Sequence, residues 1–238
     1  MSTILLIDDA AALTELFARA VEHELGHTVH TVVSLADVAT ALDTWGAPDL
    51  ALVDLSFPQE HGSGIDALHR IHTTAPESKL AIITQGDEWV SQVLRDAWEL
   101  LPITTVISKT APLAYQLGAI QSVLTTGTAP PDPAIQPLLP KVRNSRRSPE
   151  RFAALVQHAG HAKLWRALLD EPDVSYKALA DRSGLKLNTL KNYRAQLVGE
   201  LETHGLTDPP LREMRAFALR CEPFLRPFVD RALEGKKP

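Results

Sequence analysis

Cysteine is almost missing from this chain. Cys221 stands alone among 238 residues, so no disulfide can form within the chain. That excludes a small disulfide-stapled scaffold and agrees with a reducing, cytoplasmic setting. Long apolar runs are missing too: none approaches the roughly 18 residues that a membrane helix needs. The N-terminus has no basic segment leading into an apolar stretch, so no secretory signal is expected. Basic residues are scarce in the first part. Residues 1–140 hold 5 Lys and Arg against 17 Asp and Glu, a net −12. Residues 141–238 hold 19 against 12, a net +7, and the two halves give the −5 of the whole chain. Opposite signs in two halves predict different partners, a cation or phosphoryl group for the acidic half and a polyanion such as DNA for the basic one.

Four short apolar runs are present in the acidic half. Leu50-Ala51-Leu52-Val53, bounded by Ala47-Pro48-Asp49 and Phe57-Pro58, has the length and flanks of a strand buried on both faces, and it ends in Asp54. Aspartate is also a common turn residue, so Asp54 alone decides nothing. But Thr3–Ile7 ends in Asp8 and Asp9, Leu80–Ile83 ends in Thr84, and Ile103–Ser108 ends in Lys109. In an open α/β sheet, ligands bind outside the carboxyl ends of the strands. Three carboxylates, one hydroxyl and one ammonium are therefore expected on one rim. Gathered carboxylates repel unless a cation sits among them. An all-oxygen set with water completing the shell suits Mg²⁺. The hydroxyl and ammonium are what a newly attached phosphoryl group needs.

Asp8 and Asp9, Asp54, Thr84 and Lys109 follow one another at gaps of 45, 30 and 25 residues, with Pro58 and Gly62 four and eight after Asp54. In this, residues 1 to about 125 resemble the receiver domain of two-component response regulators. The resemblance implies a doubly wound, five-stranded parallel sheet of flavodoxin-like topology. It implies Asp54 as phosphoacceptor, Asp8, Asp9 and Asp54 as Mg²⁺ ligands, Thr84 and Lys109 as phosphoryl partners, and a sensor histidine kinase as donor. Such a chain takes part in phosphoryl transfer without being a metabolic enzyme. Several positions depart from the pattern. Val106 stands where the family usually has a mobile aromatic, Thr110 where it has Pro, and Gln85 where it has a small residue. The stretch from Thr84 to Lys109 is longer than usual. Gln85 is placed to screen a phosphoryl group from water.

Helices are predicted at Ala11–Leu25 (with Leu13, Leu16, Phe17, Ala20 and Val21 as its apolar face and Gly26 as its stop), Leu35–Trp45 after Ser34, Ser63–Thr73, Glu88–Leu100 and Pro112–Leu124. His27–Val32 alternates as strand 2. Alternating strands and helices make parallel, right-handed crossover units. Trp89, on the fourth helix, is a candidate for a partner surface.

Residues 126–148 have linker composition, with Pro130, Pro131 and Pro133, and then the basic run Lys141–Arg147. From Pro149 no strand pattern appears. Helical segments are expected around Phe152–Val156, Leu164–Leu169, Tyr176–Arg182 and Leu187–Leu201. The unit Leu179-Ala180-x₃-Gly184-Leu185-x₄-Leu190-x₂-Tyr193 has helix-turn-helix spacing, with Gly184 for the positive-φ turn. Asn188, Lys191, Asn192, Ala195 and Gln196 are expected on the open side of the second helix. Residues of about 160–205 resemble the LuxR-type effector domain of response regulators, although Lys186 replaces the usual capping Ser and Tyr193 a common His. That implies double-stranded DNA as partner, with Lys191, Asn192 and Asn188 at bases, Thr189 and Arg194 at phosphates, and a homodimer formed through the helix 4, strand 5 and helix 5 surface. A long amphipathic tail, Pro209–Leu233, is either core or dimer surface. His158 and His161 have no cluster of further ligands around them and are expected to pack.

The domains expected are thus 1–125, an α/β receiver; 126–148, a linker; and 149–238, an all-α helix-turn-helix effector. The function expected is a DNA-binding transcriptional response regulator. Two other readings stay open: a helical output that binds a protein, and a phosphate sink.

Overall fold

The structure, a computed structural model, describes residues 1–87, 90–142, 144 and 147–235. Glu88 and Trp89, and Arg143, Ser145 and Arg146 of the basic run, lie outside the described residues. The chain divides into two compact units, Met1–Arg143 and Asn144–Pro238.

The first unit alternates strands and helices: β1 (Thr3–Ile7), α1 (Ala11–Leu25), β2 (Thr28–Val32), α2 (Val38–Trp45), β3 (Leu50–Val53), α3 (Gly64–Thr74), β4 (Lys79–Thr84), α4 (Ser91–Leu100), β5 (Ile103–Ser108) and α5 (Leu113–Thr126). All strand pairs are parallel, in the order β2-β1-β3-β4-β5. This is the five-stranded α/β sheet expected. β3 lies in the middle, and Leu50, Ala51, Leu52 and Val53 are all buried. That explains why the run carries no alternation: helices cover both faces of the sheet. Each Leu or Ile so buried contributes roughly 1.5–3 kcal/mol.

Element edges moved where local chemistry competed. Residues 35–37 form a tighter turn before α2, because Ser34 Oγ accepts from the Ala36 amide. α4 begins at Ser91 rather than Glu88. In α1 the buried positions are Thr14, Ala18 and Val21, one turn apart, whereas Leu13 and Leu16 are 69% and 64% exposed. The face that packs is thus rotated from the apolar face read from sequence: Phe17 and Val21 are common to both, while Thr14 and Ala18 take the places of Leu13 and Leu16.

The stretch expected as linker is part of the first unit through residue 139. Ala129, Ile135 and Leu139 are buried, and the Asp132 amide donates to Val106 O at 2.8 Å. Proline composition signalled the lack of helix and strand, but it carried no information about what the segment lies on.

The second unit is all helical: a short 3₁₀ stretch Pro149–Leu155, then α6 (Ala159–Asp170), α7 (Tyr176–Ser183), α8 (Leu187–Thr203), α9 (Leu211–Arg220) and α10 (Glu222–Leu233). Its core gathers Phe152, Trp165, Phe217 and Phe224, with Trp165 Nε1 donating to Leu155 O at 2.8 Å. The amphipathic tail is two helices meeting at Cys221, and Leu211, Met214, Phe217, Ala218, Cys221, Phe224 and Leu225 are buried. Most of the tail is core; Leu233 is 37% exposed.

Candidate functional site

β1 and β3 are neighbours, paired Ile7 to Val53, so the residues that follow them, Asp8 and Asp54, leave the sheet side by side. The Asp54 amide donates to Ile7 O at 2.8 Å and fixes that adjacency. One ligand atom from each of Asp8, Asp9 and Asp54 lies within 4.8 Å of the others. Asp8 and Asp54 are buried and Asp9 is exposed at the lip. From the end of β5, Lys109 Nζ reaches Asp54 Oδ2 at 2.8 Å and Asp8 Oδ2 at 2.7 Å. Each carboxylate's other oxygen takes a backbone amide: Leu55 N to Asp54 Oδ1 at 2.8 Å and Ala10 N to Asp8 Oδ1 at 3.0 Å. Thr84, buried at the end of β4, accepts from Gly86 N at 3.3 Å.

Burial pushes the Asp54 carboxyl above its ordinary value, and the Lys109 ammonium offsets only part of that. Burial alone would lower Lys109, but its hydrogen bonds to Asp54 and Asp8 outweigh that and raise it. The pocket therefore holds Lys109 charged while leaving Asp54 short of positive charge. The donor set is oxygen only, and a hard divalent cation such as Mg²⁺ fits it.

Two positions around Asp54 escaped the sequence reading. Gly64 opens α3, and a Cβ there would stand 1.8 Å from the Asp54 carbonyl oxygen. Glu60 ties the loop after Asp54 to the turn before α2, its carboxylate accepting from Leu35 N at 3.0 Å and Ser34 Oγ at 3.3 Å. Neither signal is visible without the neighbouring segment. Beside Asp8 and Lys109 lies a cavity of about 250 Å³, walled on its apolar side by Leu13, Phe17 and Leu113. Gln85 also lines it and is exposed. The β5 edge, part of the surface expected to dimerise, is covered by residues 129–132 through bonds to the Thr104 and Val106 carbonyls.

In the second unit, Ser175 Oγ caps α7 by accepting from Ala178 N at 3.2 Å. Gly184 makes the turn at φ 68°, and α8 starts after Lys186 with no side-chain cap. Leu179, Leu190 and Leu197 are buried between the helices. Asn188, Lys191, Asn192, Ala195 and Gln196 are exposed, Thr189 is half-buried, and Lys191 Nζ lies 5.6 Å from the Tyr176 ring centre. Arg194 differs from expectation. Its guanidinium donates to Asp208 Oδ1 at 2.6 Å and to Pro209 O at 2.9 Å, so it holds the α8–α9 connection and is not offered outward. Gly160, unremarked in the sequence, lets α6 and α8 approach: a Cβ there would be 2.5 Å from the Tyr193 hydroxyl. His158 caps α6, and His161, wholly buried, bonds Gln196 Oε1 through Nε2 at 3.0 Å. Both pack, as expected of them.

The parallel sheet thus carries a carboxylate cluster and a lysine together at its carboxyl rim, the fold and layout of a receiver domain. Residues 4–110 match the family model of the response regulator receiver domain. The chain is also similar to the methanol utilization control regulatory protein MoxX of Paracoccus denitrificans, 24% identical over 220 residues that cover 90% of this chain and 92% of that protein. Among solved structures it resembles a LuxR-family two-component response regulator from Aurantimonas sp. SI85-9A1, at 25% identity and TM-score 0.49, over 58% of this chain and 94% of that one. A CheY-like receiver domain protein from Methanospirillum hungatei JF-1 matches at 20% identity and TM-score 0.45, over 53% and 95%. No helix among the described residues is long and apolar enough to cross a membrane.

Proposed function

We propose that this chain is a transcriptional response regulator, phosphorylated on Asp54 by a sensor histidine kinase, whose second unit binds double-stranded DNA. The observation that carries the reading is the meeting of Asp8, Asp9 and Asp54 within 4.8 Å, with Lys109 2.8 Å from Asp54. An Asp54 carboxylate oxygen attacks phosphorus while the bond to the donor's histidine nitrogen breaks and the imidazole leaves. Lys109 takes charge from the incoming phosphoryl group, and Thr84 supplies a hydroxyl to it. Asp8, Asp9 and Asp54 would hold Mg²⁺. The cation supplies neutralisation of the charge that phosphoryl transfer develops. The exposed apolar rim of Leu13 and Leu113 at the pocket supports docking of a helical donor protein. For DNA, the support is the exposed polar row Asn188, Lys191 and Asn192 on α8, set on the α7–α8 crossing, and the net +7 of residues 141–238. Similarity to a control regulatory protein along most of both chains agrees with this reading. Two copies on two half-sites is the arrangement that such a helix pair commonly uses.

A protein-binding output is the second reading, favoured by one observation. With Arg194 paired to Asp208, Lys191 is the cation left facing outward on α8, and Leu187 at its start is 41% exposed. The test has two arms. Incubation with a small phosphodonor and Mg²⁺ is expected to label wild type and not Asp54→Asn. A gel shift of random duplex DNA is expected to weaken steeply with salt. Absence of label sinks the phosphoacceptor reading; absence of any shift at low salt favours the protein partner.

A further inference from the structure

β5 ends the sheet, and along an open edge alternate carbonyls face outward without a partner. Those of Thr104 and Val106 are taken here by the amides of Ala129 and Asp132, at 3.4 and 2.8 Å. Thr105 Oγ1 donates back to Pro130 O at 3.1 Å. Pro130, Pro131 and Pro133 have no amide to offer, so the segment covers the edge without extending it as a strand. It then turns at Asp132, whose carbonyl accepts from Ile135 and Gln136, and this sets Ile135 down on Gly86. Ile135 is 2% exposed, and a Cβ on Gly86 would meet its Cδ1 at 2.6 Å. From α4, Arg95 Nε holds Leu138 O at 3.0 Å.

Gly86 is itself held by the candidate site, through its amide to Thr84 Oγ1. One hydrogen bond and one side-chain contact thus join Thr84 to a segment that leads straight into the second unit. Val106, where the receiver family's mobile aromatic would stand, is fully buried and its carbonyl is bonded to Asp132. An aliphatic side chain in that place has no ring to swing.

We infer that residues 129–139 are a releasable strap that carries the phosphorylation signal in this chain. When Thr84 turns its hydroxyl to a phosphoryl group on Asp54, Gly86 N loses its acceptor, the loop carrying Gly86 shifts, and Ile135 loses its seat. The strap then leaves the β5 edge, which frees the chain ahead of the second unit and uncovers the Val106 carbonyl, while Thr128 Oγ1 keeps its 2.9 Å bond to Thr104 O. The inference rests on Asp54 being the phosphoacceptor, and its test separates the two.

Hydrogen–deuterium exchange of the full chain is followed in Mg²⁺ alone, in Mg²⁺ with beryllium fluoride as phosphoryl mimic, and in both for Asp54→Asn. With the mimic, amides of residues 129–139 are expected to exchange at least tenfold faster in wild type and unchanged in Asp54→Asn. Slower exchange around residues 54–64 reports that the mimic has bound. If that slowing occurs while residues 129–139 keep their rate, the strap is overturned and the phosphoacceptor reading stands. If no region responds, the phosphoacceptor reading fails and the strap with it. Ile135→Ala, and separately Arg95→Ala at an exposed position, are expected to speed exchange of residues 129–139 without the mimic. Slow exchange in both variants overturns the strap.

Discussion

The carbonyl oxygen of Asp54 lies where a side chain on Gly64 would have to be, 1.8 Å from the position of a Cβ. The first residue of α3 is thus pressed against the backbone of the residue proposed to accept the phosphoryl group. Gly64→Ala must push the end of β3 or the start of α3 aside. The expected cost is roughly 1–3 kcal/mol or somewhat more, as for overpacking of a buried site. Denaturant unfolding should show it, together with weak or absent labelling of Asp54.

Lys109 bridges two buried carboxylates, so Lys109→Ala leaves both without a positive partner, each keeping only backbone amides. Removing one member of a buried ion pair costs about 3–5 kcal/mol. Mg²⁺ placed among the same oxygens should return part of this. The thermal midpoint of Lys109→Ala is expected to rise more with added Mg²⁺ than that of wild type. Equal rises would count against a cation site at Asp8, Asp9 and Asp54.

Asp54 has a raised carboxyl, chiefly from burial, and the sign follows from that. A carboxyl that binds its proton more tightly when folded disfavours the folded state as pH rises from its unfolded value through its folded one. At neutral pH without divalent cations, Asp54→Asn should therefore unfold at a higher temperature than wild type. A lower midpoint would mean that the Lys109 pairing outweighs the burial.

His161 in the second unit has the opposite linkage. Burial lowers its pKa, with a smaller contribution from neighbouring His158. The unfolded chain then takes the proton first, so stability falls as pH drops below the ordinary histidine value and stops falling below the folded one. His161→Gln is expected to flatten this loss from neutral pH down through histidine's ordinary pKa of about 6.5 and below it. Thermal melts across that range would measure it.

On DNA, Lys191→Ala and Arg194→Ala should part company. Lys191 is exposed, and loss of one phosphate contact lowers the slope of log affinity against log salt by about 1. Arg194 is tied to Asp208 and Pro209, so its loss should lower the unfolding midpoint and leave the slope nearly unchanged. Equal changes in slope would return Arg194 to the interface.

Much of the receiver was legible because its signals are local. Leu50–Val53 is apolar without alternation because the strand is covered on both faces, and Asp54 follows it directly. Gly184 marked its turn because few other residues accept a φ of 68°. The failures share a cause. Leu13 and Leu16 have the right spacing for a core face, but the neighbours of α1 cover only the Thr14, Ala18 and Val21 side. Arg194, at the edge of α8, reads as a phosphate contact until Asp208 from the α8–α9 connection, 14 residues on, closes on it.

By itself the sequence determined the order of strands and helices, the acidic, hydroxyl and ammonium groups at the strand ends, and the turn between α7 and α8. These follow from periodicity and from backbone preferences that act within a few residues. Only the tertiary structure decided which of those groups touch, that Gly64 and Gly160 must lack side chains, and that a proline-rich stretch closes the edge of β5 instead of hanging free. Those facts depend on the distance between segments remote in the chain, and no local preference encodes that distance.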